Sequence, residues 1–392
     1  MNRAKNYTIE YFLLLFVIAI TGFMSFFFMK QLIFYILPIV IYIVYKRHIK
    51  YPKSYKIILL IYFGLFLIQV LVHHGPISLA FTQILRFYCL SLITLIVMPS
   101  FKYTFPRLMY MIALVSLVLW TLCQVSDGFE QILIRISDFC PELRPADFLE
   151  RNTNPSKSIY IYTINTENSI RNSGPFWEPG MFTVFITLAM LHNLYSGEKL
   201  SSFHNIILLL TNITTFSTTG YVASALLIIG YVFLTQKNKL LKIIVLIFLP
   251  FLVVQFLQLD FMQDKIRNDI LSADQSYSRF GAILYHWEKI KLSPIVGYGA
   301  NDWAVTTMDN YIDNDSVSPN GLSIVPVFWG IPMAILFFIL LFKSTYALLS
   351  TKSVFIHILS FIIILILVFS QDITNREFFY MLTFMGISYF RK

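Results

Sequence analysis

The sequence predicts an all-α polytopic membrane protein with about 12 transmembrane helices. Three observations predict it. Of the 392 residues, 57% are hydrophobic and only 13% charged. Nearly every charge lies between apolar runs, not within them. The polar sequence gathers in two long segments, 126–179 and 260–320. A water-soluble chain of this size has no way to cover so much apolar surface. A bilayer is crossed by helices of about 20 residues, because only a helix satisfies its own backbone there.

The elements follow in order as apolar runs at 11–29, 31–45, 57–74, 79–98, 108–125, 180–195, 203–218, 220–235, 243–259, 321–342, 353–370 and 378–390. The first has a basic start, but Gly22 to Lys30 offers no small-x-small cleavage site, so it reads as a retained helix. All twelve belong to a single transmembrane domain, 1–392. With the N-terminus on the cytoplasmic side, the inward connections carry 17 lysines and arginines against two acids, Glu10 and Glu198. That bias places both termini in the cytoplasm and both long loops outside.

The net charge of +9 is largely this inner-face bias, suited to anionic lipid. The cations form no dense tract interleaved with aromatics, so nucleic acid is not an expected partner. Cys89, Cys123 and Cys140 make no paired framework, and no Cys/His spacing suits a metal. No Gly-rich loop ends in Gly-Lys-Ser/Thr, which argues against nucleotide-driven work within this chain. No cofactor is expected.

In the first long loop, Phe129 to Ile136 alternates apolar and polar residues, and Ser158 to Thr166 reads as a short strand. The loop ends in a proline- and glycine-punctuated turn, 170–180, leading into the next span. In the second, Arg279 to Ile290 reads as a helix stopped by Pro294, followed by Gly297-Tyr298-Gly299 and an acidic stretch, 309–315.

Several residues in these places suit chemistry on phosphates. Arg171 and Glu178 bracket the aromatic turn. An arginine fork matches phosphate oxygens and keeps its charge, and a carboxylate can activate a hydroxyl. An ordinary loop ion pair would look the same. Arg279 and His286, seven residues apart, share one face of the loop helix, as they would on any interfacial helix with a snorkelling arginine. Arg86, with Gln83 one turn before it, sits inside an apolar run, where charge is costly and faces a partner or a cavity. Gln69 and His73 pair at i, i+4 in the preceding helix, and the four together are expected to line a polar cleft. Asp302 and Asn320 stand at loop-to-membrane junctions as further candidates. The hydroxyls of Thr214 to Gly220 suit a helix break, and Asp372, Arg376 and Glu377 suit a cap on the last outer turn.

Taken in order, Arg-x-x-Gly-x-x-x-Glu-Pro-Gly at 171–180, Ser-Thr-Thr-Gly at 217–220, Ser278-Arg279-Phe280, Pro294 to Gly299 and Asn320-Gly321 resemble the O-antigen ligase/polymerase superfamily of bacterial polysaccharide assembly. The likeness covers about residues 10–390. It implies a metal-independent glycosyltransferase with GT-C-like architecture. Its substrates would be glycans on undecaprenyl pyrophosphate, used as donor and acceptor at the periplasmic face. Arg171 and Arg279 match the arginines thought to hold the pyrophosphate. Superfamily ligases carry His-Asn where this chain has Pro319-Asn320, which points to a repeat-unit polymerase, making O-antigen, capsule or exopolysaccharide. Many members have Ser-Arg-Gly where this chain has Ser217-Thr218-Thr219-Gly220, which leaves Arg86 to supply part of the cationic work. Glu178 is the first candidate base, with His286 and Asp302 behind it. A flippase and a chain-length regulator are the expected protein partners. Two alternatives stand beside this reading: a ligase-type glycan transferase, and a flippase or transporter of lipid-linked sugars.

Overall fold

The structure, a computed structural model, describes residues 7–26, 29, 31–140, 156–165, 170–235, 237–258, 263, 279–299, 320–349 and 351–388. It is predominantly helical, and helices stand on all twelve apolar runs. They are α1 (Thr8–Gly22), α2 (Leu32–Lys46), α3 (Lys53–Val72), α4 (Ile77–Val97), α5 (Phe101–Val125), α6 (Asp127–Asp138), α7 (Pro179–Tyr195), α8 (Phe203–Thr214), α9 (Thr218–Thr235), α10 (Lys239–Leu257), α11 (Arg279–Leu292), α12 (Ile324–Leu348), α13 (Val354–Phe369) and α14 (Glu377–Ser388). Among the described residues, α3, α4, α5, α9 and α12 are long and apolar enough to cross a membrane, and α1, α2, α8 and α13 are shorter apolar helices.

The chain divides into two compact units. One comprises residues 1–32, 96–249 and 348–356, the other 33–95, 250–347 and 357–392. In the first, α7 is the centre. All 17 of its residues are buried, including the polar Thr183, Thr187 and Asn193. A helix apolar all round has no solvent face to present, so it takes the middle of a bundle. Its start is set by Pro179 at the first helical turn, where the missing N–H costs nothing. Helices α5, α8 and α9 pack on it. In the second unit α14 has the same character, with every residue buried except the last.

Three sequence expectations change. Helix α5 begins at Phe101, ahead of the apolar run at 108. Lys102, Tyr103 and Arg107 point outward while Phe101, Thr104, Phe105 and Leu108 are buried, so polar residues on one stripe concealed its first two turns. Phe129 to Ile136 is helical, as part of α6. Ser126 caps that helix, its Oγ accepting from Phe129 N at 3.3 Å, and Asp127 and Glu130 occupy the first turn, where acids suit the helix dipole. The stretch read as one strand is a tight hairpin. Lys157–Ser158 (β1) pairs antiparallel with Thr163–Ile164 (β2), and Tyr160, at φ 66°, turns the chain. Tyr162, Thr163 and Ile164 are buried in succession, so the burial does not alternate as on a half-exposed strand. Tyr162 and Ile164 pack on Leu133 of α6 and Cys123 of α5, while Ile161 is exposed.

Candidate functional site

In the first unit the 171–180 segment folds as one rigid turn. Asn172 is fully buried and anchors it. Its Nδ2 donates to Thr214 Oγ1 at 3.0 Å, and its Oδ1 accepts from Ser116 Oγ at 2.6 Å and Gly174 N at 2.9 Å. Its own N–H donates to the Thr214 carbonyl at 2.9 Å. Further along, Met24 N reaches the Pro175 carbonyl at 2.9 Å and Trp177 N reaches the Gly22 carbonyl at 3.1 Å. Phe176 is fully buried and stacks on Phe182 and Phe185 of α7, with ring centroids 5.1 and 4.9 Å away.

The turn is thereby joined to the Thr214–Gly220 break between α8 and α9. There Thr183 donates to Asn212, Asn212 Nδ2 donates to Ser224 Oγ at 2.7 Å, and Ser217 Oγ accepts from Gly220 N at 3.3 Å. Hydroxyls and amides satisfy the groups that the break frees, as the sequence suggested. Arg171, half-buried, donates from Nε to the Thr215 carbonyl at 3.3 Å. Its guanidinium lies at the carbonyl end of α8, where a cation is favoured. Glu178 is the N-cap residue of α7, half-buried, and its side chain makes no capping hydrogen bond.

In the second unit, Gln69 and His73 hold a second helix break. Helix α12 is interrupted at Gly330, with φ 69° and ψ 163°. The freed carbonyls of Val327 and Phe328 accept from Tyr298 N at 2.8 Å and Gly299 N at 2.9 Å, and Ile331 N donates to the Pro294 carbonyl at 2.7 Å. Gln69 Nε2 donates both to Phe328 O at 2.9 Å and to Val296 O at 2.7 Å. His73 Nε2 lies 2.8 Å from Gly297 O, and its ring stacks on Tyr298 at 4.9 Å. Gly297 and Gly330 meet backbone to backbone, so a Cβ on either would overlap the other strand of chain. Gln69, His73 and Gln83 do line a cleft with Tyr298. It is small, about 30 Å³, with room for about one or two waters. Gln69 Oε1 is buried at its wall with no hydrogen-bond partner among the described residues.

Arg86 is buried and charge-paired. Its Nη2 lies 2.5 Å from Glu377 Oε1, with side-chain exposures of 6% and 0%. Nη1 donates to Gln83 Oε1 at 3.4 Å, and the guanidinium sits 5.6 Å from the Tyr380 ring centroid. The partner expected of an intramembrane arginine is thus Glu377, the first residue of α14. Buried charges of opposite sign offset one another's desolvation only when held this closely.

His286 is fully buried on α11. Nδ1 is 2.7 Å from Ser323 Oγ, and Nε2 is buried without a hydrogen-bond partner among the described residues. Burial pushes its pKa down to about 4, so the ring is neutral near pH 7. Asn320 is fully buried as well. Its Oδ1 accepts from Leu322 N at 3.0 Å and Ser323 N at 3.1 Å, which shapes the turn into α12 and presents Ser323 to His286. Arg279 opens α11 as expected. Its side chain, and the whole of Asp302, lie outside the described residues, as do the acidic stretch and the residues on either side of it, 300–319.

The structure therefore brings Arg171 to a break beside the turn that ends in Glu178. In the other unit it brings together Gln69, His73 and Gln83, Arg86 with Gln83, and His286 with Asn320 through Ser323. Sequence reading missed Asn172, Ser323 and the pairing of Glu377. Only Glu377 carried a signal, an acid at the head of an apolar run, and 291 residues separate it from Arg86. Among the described residues, no group of three His, Cys, Asp or Glu is placed to hold a metal ion.

Comparison with known protein families, with curated proteins and with solved structures gives no match.

Proposed function

We propose that this chain is a polymerase of oligosaccharide repeat units carried on undecaprenyl pyrophosphate. In this reading it crosses the bacterial inner membrane about 12 times and works at the periplasmic face without a metal. One observation carries the reading: the 171–180 turn is rigidly built, with a cation at its start and, at its end, a carboxylate that makes no capping bond. That is the equipment for glycosyl transfer from a pre-activated donor.

In this mechanism the acceptor hydroxyl attacks the anomeric carbon of the donor sugar. The bond from that carbon to the pyrophosphate oxygen breaks, and the pyrophosphate leaves with the bonding pair. Arg171 and Arg279 stabilise the charge that grows on it, which accelerates the step because that charge is larger in the transition state than in the donor. Glu178 takes the hydroxyl proton. Arg86, in the second unit, binds a phosphate only if its oxygen replaces Glu377 at the guanidinium. His286, neutral near pH 7, and Asp302 are the reserve bases. A ligase-type transfer to another acceptor would use the same steps.

A second reading, a transporter of lipid-linked sugars, is favoured by the buried Arg86–Glu377 pair, since such pairs mark substrate and proton routes in membranes. Surface glycan from a strain deleted for the gene, resolved by size on a gel, separates the readings. Collapse to a single repeat unit is the expected result. Long chains stranded on the carrier would indicate a ligase, and loss of even the single unit a flippase. Complementation with Arg279→Ala or Glu178→Gln at unchanged protein level is expected to restore no polymer. Full-length polymer from either variant overturns that residue's role.

A further inference from the structure

Away from the candidate site, an open groove of about 510 Å³ runs between α3 and α4. One wall is Lys56, Leu60 and Phe63, spaced along a single face of α3, and the other is Phe81, Ile84 and Tyr88 of α4. The Phe63 and Phe81 rings meet at 5.5 Å at the end away from Lys56. From Phe81 to Leu92, the last residue lining it, α4 rises about 16 Å at 1.5 Å per residue. That matches one leaflet of a hydrocarbon core about 30 Å thick.

The end at Lys56 has the opposite chemistry. Lys46, Arg47, Lys50, Lys53 and Lys56 fall within residues 46–56, a stretch that contains no acid. Tyr51 and Tyr88 stand beside Lys56 at that end, with ring centroids 5.9 Å apart, as amphipathic rings do at a headgroup boundary. Lys56 and Leu60 are both exposed. Apolar walls one leaflet deep, with Lys56 and two tyrosines at one end and further cations close to it in sequence, complement a hydrocarbon tail with a phosphate at its head.

We propose that this groove is a binding site for an anionic phospholipid, one acyl chain lying between α3 and α4 and the headgroup phosphate against Lys56. Clustered lysines at a helix end attract anionic lipid, and the groove converts that general attraction into a site. The inference does not depend on the enzymatic reading above.

The test uses the full chain in nanodiscs of phosphatidylcholine and phosphatidylglycerol in equal amounts, with retained lipid identified by native mass spectrometry. At least a fivefold excess of retained phosphatidylglycerol is expected. Lys56→Ala removes the charge and Leu60→Trp fills the groove with every charge intact. Each is expected to bring the excess below twofold, while Lys239→Ala leaves it unchanged. Leu60 is 71% exposed, so the larger ring is tolerated by the fold. Equal retention of the two lipids by the unaltered protein overturns the proposal. So does a preference that survives Leu60→Trp, which would assign the lipid to the basic segment alone. Displacement of phosphatidylglycerol by an equal amount of polyprenyl phosphate would assign the groove to a carrier lipid and overturn it too.

Discussion

Arg86 and Glu377 show how much one contact decides. Removing one partner of a buried ion pair leaves the other charge uncompensated, at a cost of about 3–5 kcal/mol, whereas replacing both by apolar residues is close to neutral. Glu377→Leu alone is therefore expected to lower the unfolding midpoint sharply in detergent, and the double variant Arg86→Met/Glu377→Leu to recover most of the loss. Additive losses would mean that the pair is not coupled. Asn172 carries three side-chain hydrogen bonds in a dry environment. Asn172→Ala is expected to cost roughly 2–3 kcal/mol, because Thr214, Ser116 and Gly174 lose their partner together. Thermal unfolding measures this, and a change under 1 kcal/mol would show that the turn is anchored elsewhere. His286 titrates at about 4 in the folded protein, below its ordinary value of 6.5. The unfolded chain then binds the extra proton first, so stability is complete above about pH 6.5 and falls as the pH drops toward 4, by roughly 3 kcal/mol at most. His286→Gln is expected to flatten the stability curve across that window; an unchanged slope would assign the acid sensitivity to other groups.

Helices broken near their ends are the recurring device at the level of elements. The α8–α9 break is held by Asn172, Asn212 and Thr183, and the α12 break at Gly330 by the 294–299 segment and Gln69. In each, a segment distant in sequence supplies donors for carbonyls that the break frees. Gly330 has φ 69° and abuts the Ile295 carbonyl, so Gly330→Ala meets both backbone strain and overlap. It is expected to destabilise by more than about 3 kcal/mol. Gly64, on the exposed flank of α3 with open space around it, is the control, and Gly64→Ala should be neutral or mildly stabilising. Equal effects of the two substitutions would refute the packed break. Gln69 and His73 were legible in the sequence as a polar pair on one helix. Their occupation with backbone carbonyls was not, because neither the break at Gly330 nor the approach of Gly297 leaves a periodic mark.

For the whole molecule, the prediction is topological. Reporter fusions or cysteine labelling at 48, 198, 238 and 351 are expected to fall on one side of the membrane and those at 145 and 305 on the other. Any crossing of these two groups would remove the sidedness on which the proposed reaction depends. The helical, membrane-embedded character of the chain, the places of its apolar helices and the helical start at Arg279 were all readable from composition and run length. These are local properties: apolar length and charge act on each segment by itself. Which helix lies at the centre of each unit, that Glu377 neutralises Arg86, that Asn172 ties the turn to the α8–α9 break, and that Asn320 serves a turn beside His286 were decided only by the tertiary structure. Each of those contacts joins residues whose polarity is ambiguous in isolation. A glutamate before an apolar run caps a helix or pairs with an arginine, and only packing, by excluding water and bringing 291 residues of chain separation down to 2.5 Å, selects between them.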